Sequence, residues 1–186
     1  MDKKERVLEA TIKVFNRKGL KFTMEDIANE LSMSKKTIYT LIRDKTELFY
    51  EMVDYCFDKI KESEAKIIQD ESLDLVTKLR KTLAVLPEGY RDIDFQQLYF
   101  LKEKYPAVYR RVEERLETGW EHVIELMNQG IAEGKLKPVN IILFKTVIEA
   151  TLERFFQRDV LVVNHISYSD ALTDMVDMLM DGILER

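Results

Sequence analysis

The sequence predicts an all-α protein, and three observations predict it. Apolar residues recur at helical spacing along most of the 186 residues. No stretch alternates as a half-buried strand would, and no internal repeat is visible. Three prolines and six glycines are too few for the tight turns of an all-β fold. About nine helices are predicted, roughly over 3–18, 24–31, 35–42, 45–69, 72–86, 92–103, 106–133, 140–158 and 168–185.

The first helix, within ERVLEATIKVFNRKG, is amphipathic and ends at Gly19. In the second, Met24, Ile27, Ala28 and Leu31 fall at i, i+3, i+4 and i+7, one apolar stripe. Thr23 opens it with Asp26 three residues on, a capping box with Asp in place of Glu or Gln. Ser32-Met33-Ser34 breaks the pattern, and Ser34 caps the third helix by accepting from a free backbone N–H. That helix carries Lys35, Lys36, Thr37, Tyr39 and Thr40 and no acid. Thr37 stands where a capping box would have Glu; an acid there would weaken an approach to phosphate. Asp44 and Glu47 then form a capping box for the long helix 45–69. Lys45, in its first turn, opposes the helix macrodipole, and a nearby phosphate would reverse that sign. Lys45 is therefore read as a backbone clamp.

Two short helices joined by three residues, the second basic, hydroxylated and aromatic, read as a helix-turn-helix whose second helix suits a major groove. The alternative is a solvated basic face on an ordinary three-helix unit. Charge distribution favours DNA. Residues 1–50 hold 11 Lys+Arg and 8 Asp+Glu, while the whole chain has 29 and 34 and a net charge of −5. The basic excess sits on the suspected reader and the acidity on the rest.

These residues resemble the tetracycline-repressor (TetR) family of bacterial transcription factors. The resemblance covers about residues 3–50: the first helix to Gly19, Phe22-Thr23, Asp26-Ile27-Ala28, Leu31, Ser34, Thr37-Ile38-Tyr39, and Lys45-x-Glu47-Leu48-Phe49. It implies that Lys35 and Lys36 read base edges, that Thr37 and Thr40 touch phosphate or neighbouring bases, and that Tyr39 meets a thymine methyl or the backbone. It implies backbone contacts for Thr23 and Lys45; Ser34 completes the DNA-binding set. Ser32 stands where many members have Gly. Leu41 cannot supply the phosphate hydrogen bond that His or Tyr gives there, and Arg43 offers a compensating charge. Ile42 keeps the core role of the frequent Phe with less volume.

The implied organisation is a helix-turn-helix DNA-binding domain over 1–47 and a helical ligand-binding and dimerisation domain over 48–186. Helix 45–69 places Leu48, Phe49, Met52, Val53, Cys56, Phe57 and Ile60 at helical spacing, then turns polar. Its first half is expected under the reading head and its second in the body, so one helix could transmit a tilt. Residues 90–109 hold Tyr90, Phe95, Tyr99, Phe100, Tyr105 and Tyr109. Such rings either fill a core or line an effector pocket, and the resemblance favours the pocket. Tyr90, Phe95, Tyr99, Phe100, Trp120, Met127, Phe155 and Phe156 are the candidate lining. Helix 106–133 starts at Pro106, a tolerated first-turn position, with Gly119 or Gly130 as points of bending.

Ser167 and Asp170 offer a capping pair for the last helix. The last two long helices are apolar on most faces and must be buried. Phe144, Ile148, Leu152, Leu172, Met175, Val176, Leu179 and Ile183 are the candidate interface of a homodimer, the alternative being a deeper core in one copy.

The remaining features exclude other classes. No apolar run approaches the roughly 20 residues a membrane span needs, no signal peptide is visible, and the single Cys56 excludes an intrachain disulfide and fits a reducing cytoplasm. His122 and His165 are too isolated for a metal site. No Gly-rich phosphate loop, metal cluster or His-centred catalytic set is present, so neither an enzyme nor a cofactor is expected. The expected function is a ligand-responsive regulator, most simply a repressor on a near-palindromic double-stranded DNA operator, released by a small molecule. The competing classes are a helical protein-interaction module and a small-molecule enzyme on the same fold.

Overall fold

The computed structural model describes residues 2–90, 96–157 and 160–185, with side chains except at 88, 96–99 and 157. Its helices are α1 (Lys3–Lys18), α2 (Met24–Glu30), α3 (Lys35–Tyr39), α4 (Lys45–Gln69), α5 (Leu75–Leu83), α6 (Gln96–Lys104), α7 (Pro106–Glu117), α8 (Glu121–Ala132), α9 (Ile141–Gln157), α10 (Val160–Val163) and α11 (Tyr168–Ile183). Short 3₁₀ turns lie at Gly19–Lys21 and Glu88–Tyr90. Among the described residues the only β pairing is an isolated bridge between Leu136 and Leu184.

Packing divides the chain into two compact units. One comprises Met1–Asp58 and Asp92–Arg115, the other Lys59–Arg91 and Leu116–Arg186. In the first, α1 packs on α2 and α2 on α3, while α6 packs on the 19–21 turn. α1 begins with a full capping box: the Asp2 carboxylate accepts from the Glu5 amide, and Glu5 returns the bond. The apolar stripe of α1 buries Val7, Leu8, Ile12 and Phe15. Phe49 lies at the centre, with its ring 6.1 Å from Phe15, 5.3 Å from Phe22 and 4.9 Å from Tyr105. Each such ring contributes about 1.5–3 kcal/mol by burial. Arg111 and Arg115 tie α7 to α4 through Asp54 at 2.8 and 3.3 Å, and Arg115 also meets Asp58 at 2.6 Å.

The second unit is centred on Leu79, Met127, Leu136, Ile148, Val176 and Met180, all almost wholly buried. α5 packs against both α8 and α11. The guanidinium of Arg80 reaches Asp181 at 2.7 Å and also pairs with Asp177, clamping α5 to α11. Gly130 is packed so closely that a Cβ there would lie 2.7 Å from Leu136 Cδ1.

Several expectations are corrected here. The predicted helix 106–133 is two helices, because Gly119 adopts φ +79, a left-handed conformation that ends the regular ladder. The Lys61 ammonium closes that junction, donating to the Gly119 carbonyl at 2.6 Å and to Glu64 at 2.8 and 3.0 Å. Burial pushes the Glu64 carboxyl up, and Lys61 opposes that shift. α5 starts later than expected, at the residue capped by Asp74, whose carboxylate accepts from the Thr77 amide at 2.9 Å. The short α10 occupies part of what was read as a loop.

The candidate dimer residues are placed within one copy as follows. Phe144, Ile148, Leu172, Met175, Val176 and Ile183 are buried within one copy, and Leu152 and Leu179 pack against the same core. Among the described residues, the large apolar side chains that α9 and α11 leave outside are Ile142 (77% exposed), Leu143 (61%), Val147 and Met178 (71%). Helical periodicity marks an apolar face without saying which of two apolar faces meets the core.

Candidate nucleic-acid interface

α2 is fixed at both ends by its own residues. The Thr23 hydroxyl accepts from the Asp26 amide at 3.3 Å, and the Asp26 carboxylate accepts from the Thr23 amide at 2.8 Å, the reciprocal box. Lys18 meets Asp26 at 2.7 Å. Lys18, and then the Thr23 amide, hold the Asp26 carboxyl down at about 2, against an ordinary 3.8. At the other end the Met33 amide donates to the Ala28 carbonyl (2.8 Å) and the Ser32 amide to that of Asn29 (3.2 Å). This is a Schellman closure, and it places Ser32 at φ +52, where glycine is usual.

α3 follows at once. Ser34 caps it, its hydroxyl accepting from the Thr37 amide at 3.1 Å and lying 2.9 Å from the Thr37 hydroxyl. The Thr40 hydroxyl donates to the Thr37 carbonyl at 2.6 Å. Ile38 and Ile42 are buried and anchor the helix. Lys35, Lys36, Tyr39 and Thr40 face outward, with Tyr39 half exposed. The helix ends at Tyr39 rather than 42, and the chain turns through Thr40 and Leu41.

The cations differ in their engagement. Lys35 pairs with Glu25 on α2, which holds its ammonium protonated above the ordinary range. Lys36 makes no ion pair among the described residues. The Lys45 ammonium donates to the Leu20 carbonyl at 2.8 Å and to that of Phe22, and lies 4.2 Å from the centre of the Phe22 ring. Burial lowers its pKa, with Lys104 adding to the effect. Lys45 thus closes the end of the 19–21 turn, a role sequence reasoning missed because its partners are backbone carbonyls more than 20 residues away. Glu47 also departs from expectation: it accepts from the Arg43 amide at 2.6 Å, one residue before the cap, while its own amide donates to Asp44 at 2.9 Å.

The Glu25–Lys35 pair was likewise not foreseen. Its only sequence signal is an acid in the first turn of the helix preceding a lysine-led reader. Glu30 and Asp26 pair with Arg17 and Lys18 of α1, so all three acids of α2 neutralise cations of neighbouring helices.

The predicted pocket aromatics that are described belong to both units. Phe95 and the side chain of Tyr99 lie outside the described residues. Phe100 belongs to the first unit and is largely exposed. Tyr90 and Phe156 are buried in the second unit, where Trp120 and Phe155 pack against the core that contains Met127. Phe156 stacks on Tyr168 at 5.6 Å, and Phe155 meets the same ring edge-on at 6.3 Å. A cleft of about 420 Å³ in this unit is lined by Ile68, Leu75, Lys78, His122, Leu126 and Lys135, among others. Tyr105 and Tyr109 of the aromatic-rich segment serve the first unit's core. Among the described residues no cluster of His, Cys, Asp or Glu could hold a metal ion, and no helix is long and apolar enough to cross a membrane.

An outward basic helix, set on a buried isoleucine and joined to its partner helix by a closed turn, defines a helix-turn-helix DNA-binding protein. Residues 7–52 match the family model described as bacterial regulatory proteins, tetR family. Residues 7–52 are thus similar to the DNA-binding segment of the TetR family, which supports reading the chain as a DNA-binding transcriptional regulator. It is similar to the HTH-type transcriptional regulator YvaF of Bacillus subtilis (strain 168), 26% identical over 183 residues, covering 98% of this chain and 95% of that protein. Its fold is similar to a TetR transcription regulator from Haloarcula marismortui (TM-score 0.76, 18% identity, 98% of each chain). It is also similar to a transcriptional regulator from Saccharomonospora viridis in complex with choline (TM-score 0.75, 17% identity, 98% of each chain). These relatives are described as transcriptional regulators.

Proposed function

We propose that the protein is a ligand-responsive repressor. Residues 1–47 read DNA, and residues 48–186 bind a small molecule and a second copy of the chain. The observation that carries the reading is α3: Ile38 is wholly buried while Lys35, Lys36, Tyr39 and Thr40 face outward. Thr23, Ser34, Thr37 and Lys45 complete the proposed DNA-facing set. The homodimer reading is supported by the apolar side chains left exposed on α9 and α11: Ile142, Leu143, Val147 and Met178. A two-fold dimer places its two reading helices in successive major grooves, roughly 34–36 Å apart, on a near-palindromic operator. An effector that prefers one separation of the heads opposes an operator that prefers another, and the coupling is reciprocal. A choline complex of a fold neighbour supports a small-molecule effector.

The test is fluorescence anisotropy with duplexes tiled across the gene's own neighbourhood, paired with sedimentation. One duplex should bind well above the others, at two chains per near-palindrome. Leu143→Glu should leave a monomer and weaken that binding. Uniform affinity for every duplex would refute operator recognition, and a dimeric Leu143→Glu protein would refute the α9 interface.

A further inference from the structure

We infer that Glu25 positions Lys35 for base edges and screens it from backbone phosphate, so that it raises the sequence preference of the DNA-binding head. The inference rests on the reading that α3 lies in the major groove. Glu25 stands in the first turn of α2 and Lys35 in the first turn of α3, and their side chains pair across the turn between the helices. Both are about half exposed, 56% and 50%, so the pair lies on the same open surface as Lys36 and Tyr39. The other two acids of α2 pair backward onto α1, through Arg17 and Lys18. Glu25 alone among them reaches the reading helix.

The chemistry follows from charge and geometry. A free lysine on this surface attracts any phosphate, and phosphate contacts carry no sequence information. With Glu25 bound to it, the ammonium is locally neutralised, and a phosphate approaching it also approaches a carboxylate. The pair as a unit presents one donor group and one acceptor group side by side. That is the complement of a base-pair edge, where a carbonyl acceptor lies beside an exocyclic amino donor: guanine O6 beside cytosine N4, or thymine O4 beside adenine N6. A phosphate offers acceptors only and leaves the carboxylate facing an anion. The pair therefore gains at a base edge and loses at the backbone.

The full-length protein tests this with two probes. One is a 30-base-pair duplex of random sequence; the other is the tightest duplex selected from a random pool by the wild-type protein. Glu25→Gln should bind the random duplex about three- to ten-fold more tightly near 0.1 M salt. Its log–log salt slope should steepen by up to about one unit. The ratio of selected to random affinity should fall by at least the same factor. Glu25→Asp, which keeps the charge, should stay near wild type on the random duplex. In a Lys35→Met background, Glu25→Gln should lose most of its effect on the slope, since the carboxylate acts through that ammonium. Thermal unfolding of each variant separates these effects from damage to the head, because a merely structural role would weaken both duplexes alike. An unchanged slope with unchanged or weaker random binding would overturn the inference while leaving DNA binding intact. A wild-type protein that binds neither probe would overturn the DNA-binding reading as well.

Discussion

Replacing Ser32 by glycine should stabilise the reading head without touching its DNA-facing side chains. Ser32 is the residue after the end of α2, at φ +52, and the Schellman bonds on either side hold it there. A side chain in the left-handed region costs roughly 1–2 kcal/mol through the crowding of Cβ against the following carbonyl. Glycine removes that cost but raises the entropy of the unfolded chain by an amount worth roughly 0.5–1 kcal/mol. The serine side chain is exposed, so little packing is lost. The net expectation is a gain of about 0.5–1 kcal/mol. Amide hydrogen exchange reads this locally: amides of residues 24–38 that exchange by opening of this segment should slow about two- to five-fold. Ser32→Val should move the other way and by more, because a β-branched residue tolerates this region least. If glycine leaves exchange unchanged and valine behaves like serine, the turn is not left-handed and the argument fails.

Three further perturbations test other contacts. Asp26 has a depressed carboxyl pKa, so its stabilising contribution is complete above 3.8 and disappears as pH falls toward about 2. Urea titrations from pH 5 to pH 2 should therefore show wild type well above Asp26→Asn at the upper end and the two converging at the lower; a constant gap would contradict the assignment. Gly119→Ala should cost more than Gly134→Ala. Both have positive φ, but only at Gly119 does a new Cβ fall 2.7 Å from the Lys61 side chain that bonds the junction carbonyl. The shared backbone term is about 1–2 kcal/mol, and equal losses in chemical denaturation would show that the Lys61 contact contributes nothing. Lys45→Met should destabilise by about 2 kcal/mol, since two buried-residue carbonyls lose a charged donor. If its ammonium also reaches phosphate, the salt slope of DNA binding drops by about one unit per head; an unchanged slope assigns Lys45 wholly to the carbonyls.

Much of the head was legible because its signals are local. Thr23 with Asp26, Ser34 with Thr37, and Asp44 with Glu47 lie within one helical turn of each other, and the structure forms hydrogen bonds at all three. The stripe Met24, Ile27, Ala28 is buried as its period requires. What the sequence did not disclose are contacts between residues far apart. Lys45 reads as a free cation until the carbonyls of Leu20 and Phe22 are placed beside it. Tyr105 reads only as one ring of an aromatic-rich segment until it is found against Phe49. On α9, Phe144 and Ile148 are as apolar as Leu143 and Val147, and nothing in their order says which pair meets the protein's own core.

The order of residues alone settles the helical class, the capped ends of the short helices and the family that the reader resembles. Each of these depends on interactions spanning one turn of backbone. The folded chain settles which cations of the reader are already engaged, where the helix after Pro106 breaks, and which apolar face remains open. Those outcomes depend on which distant side chains come together and which are buried. A period of 3.6 residues specifies a face without naming the surface that will cover it.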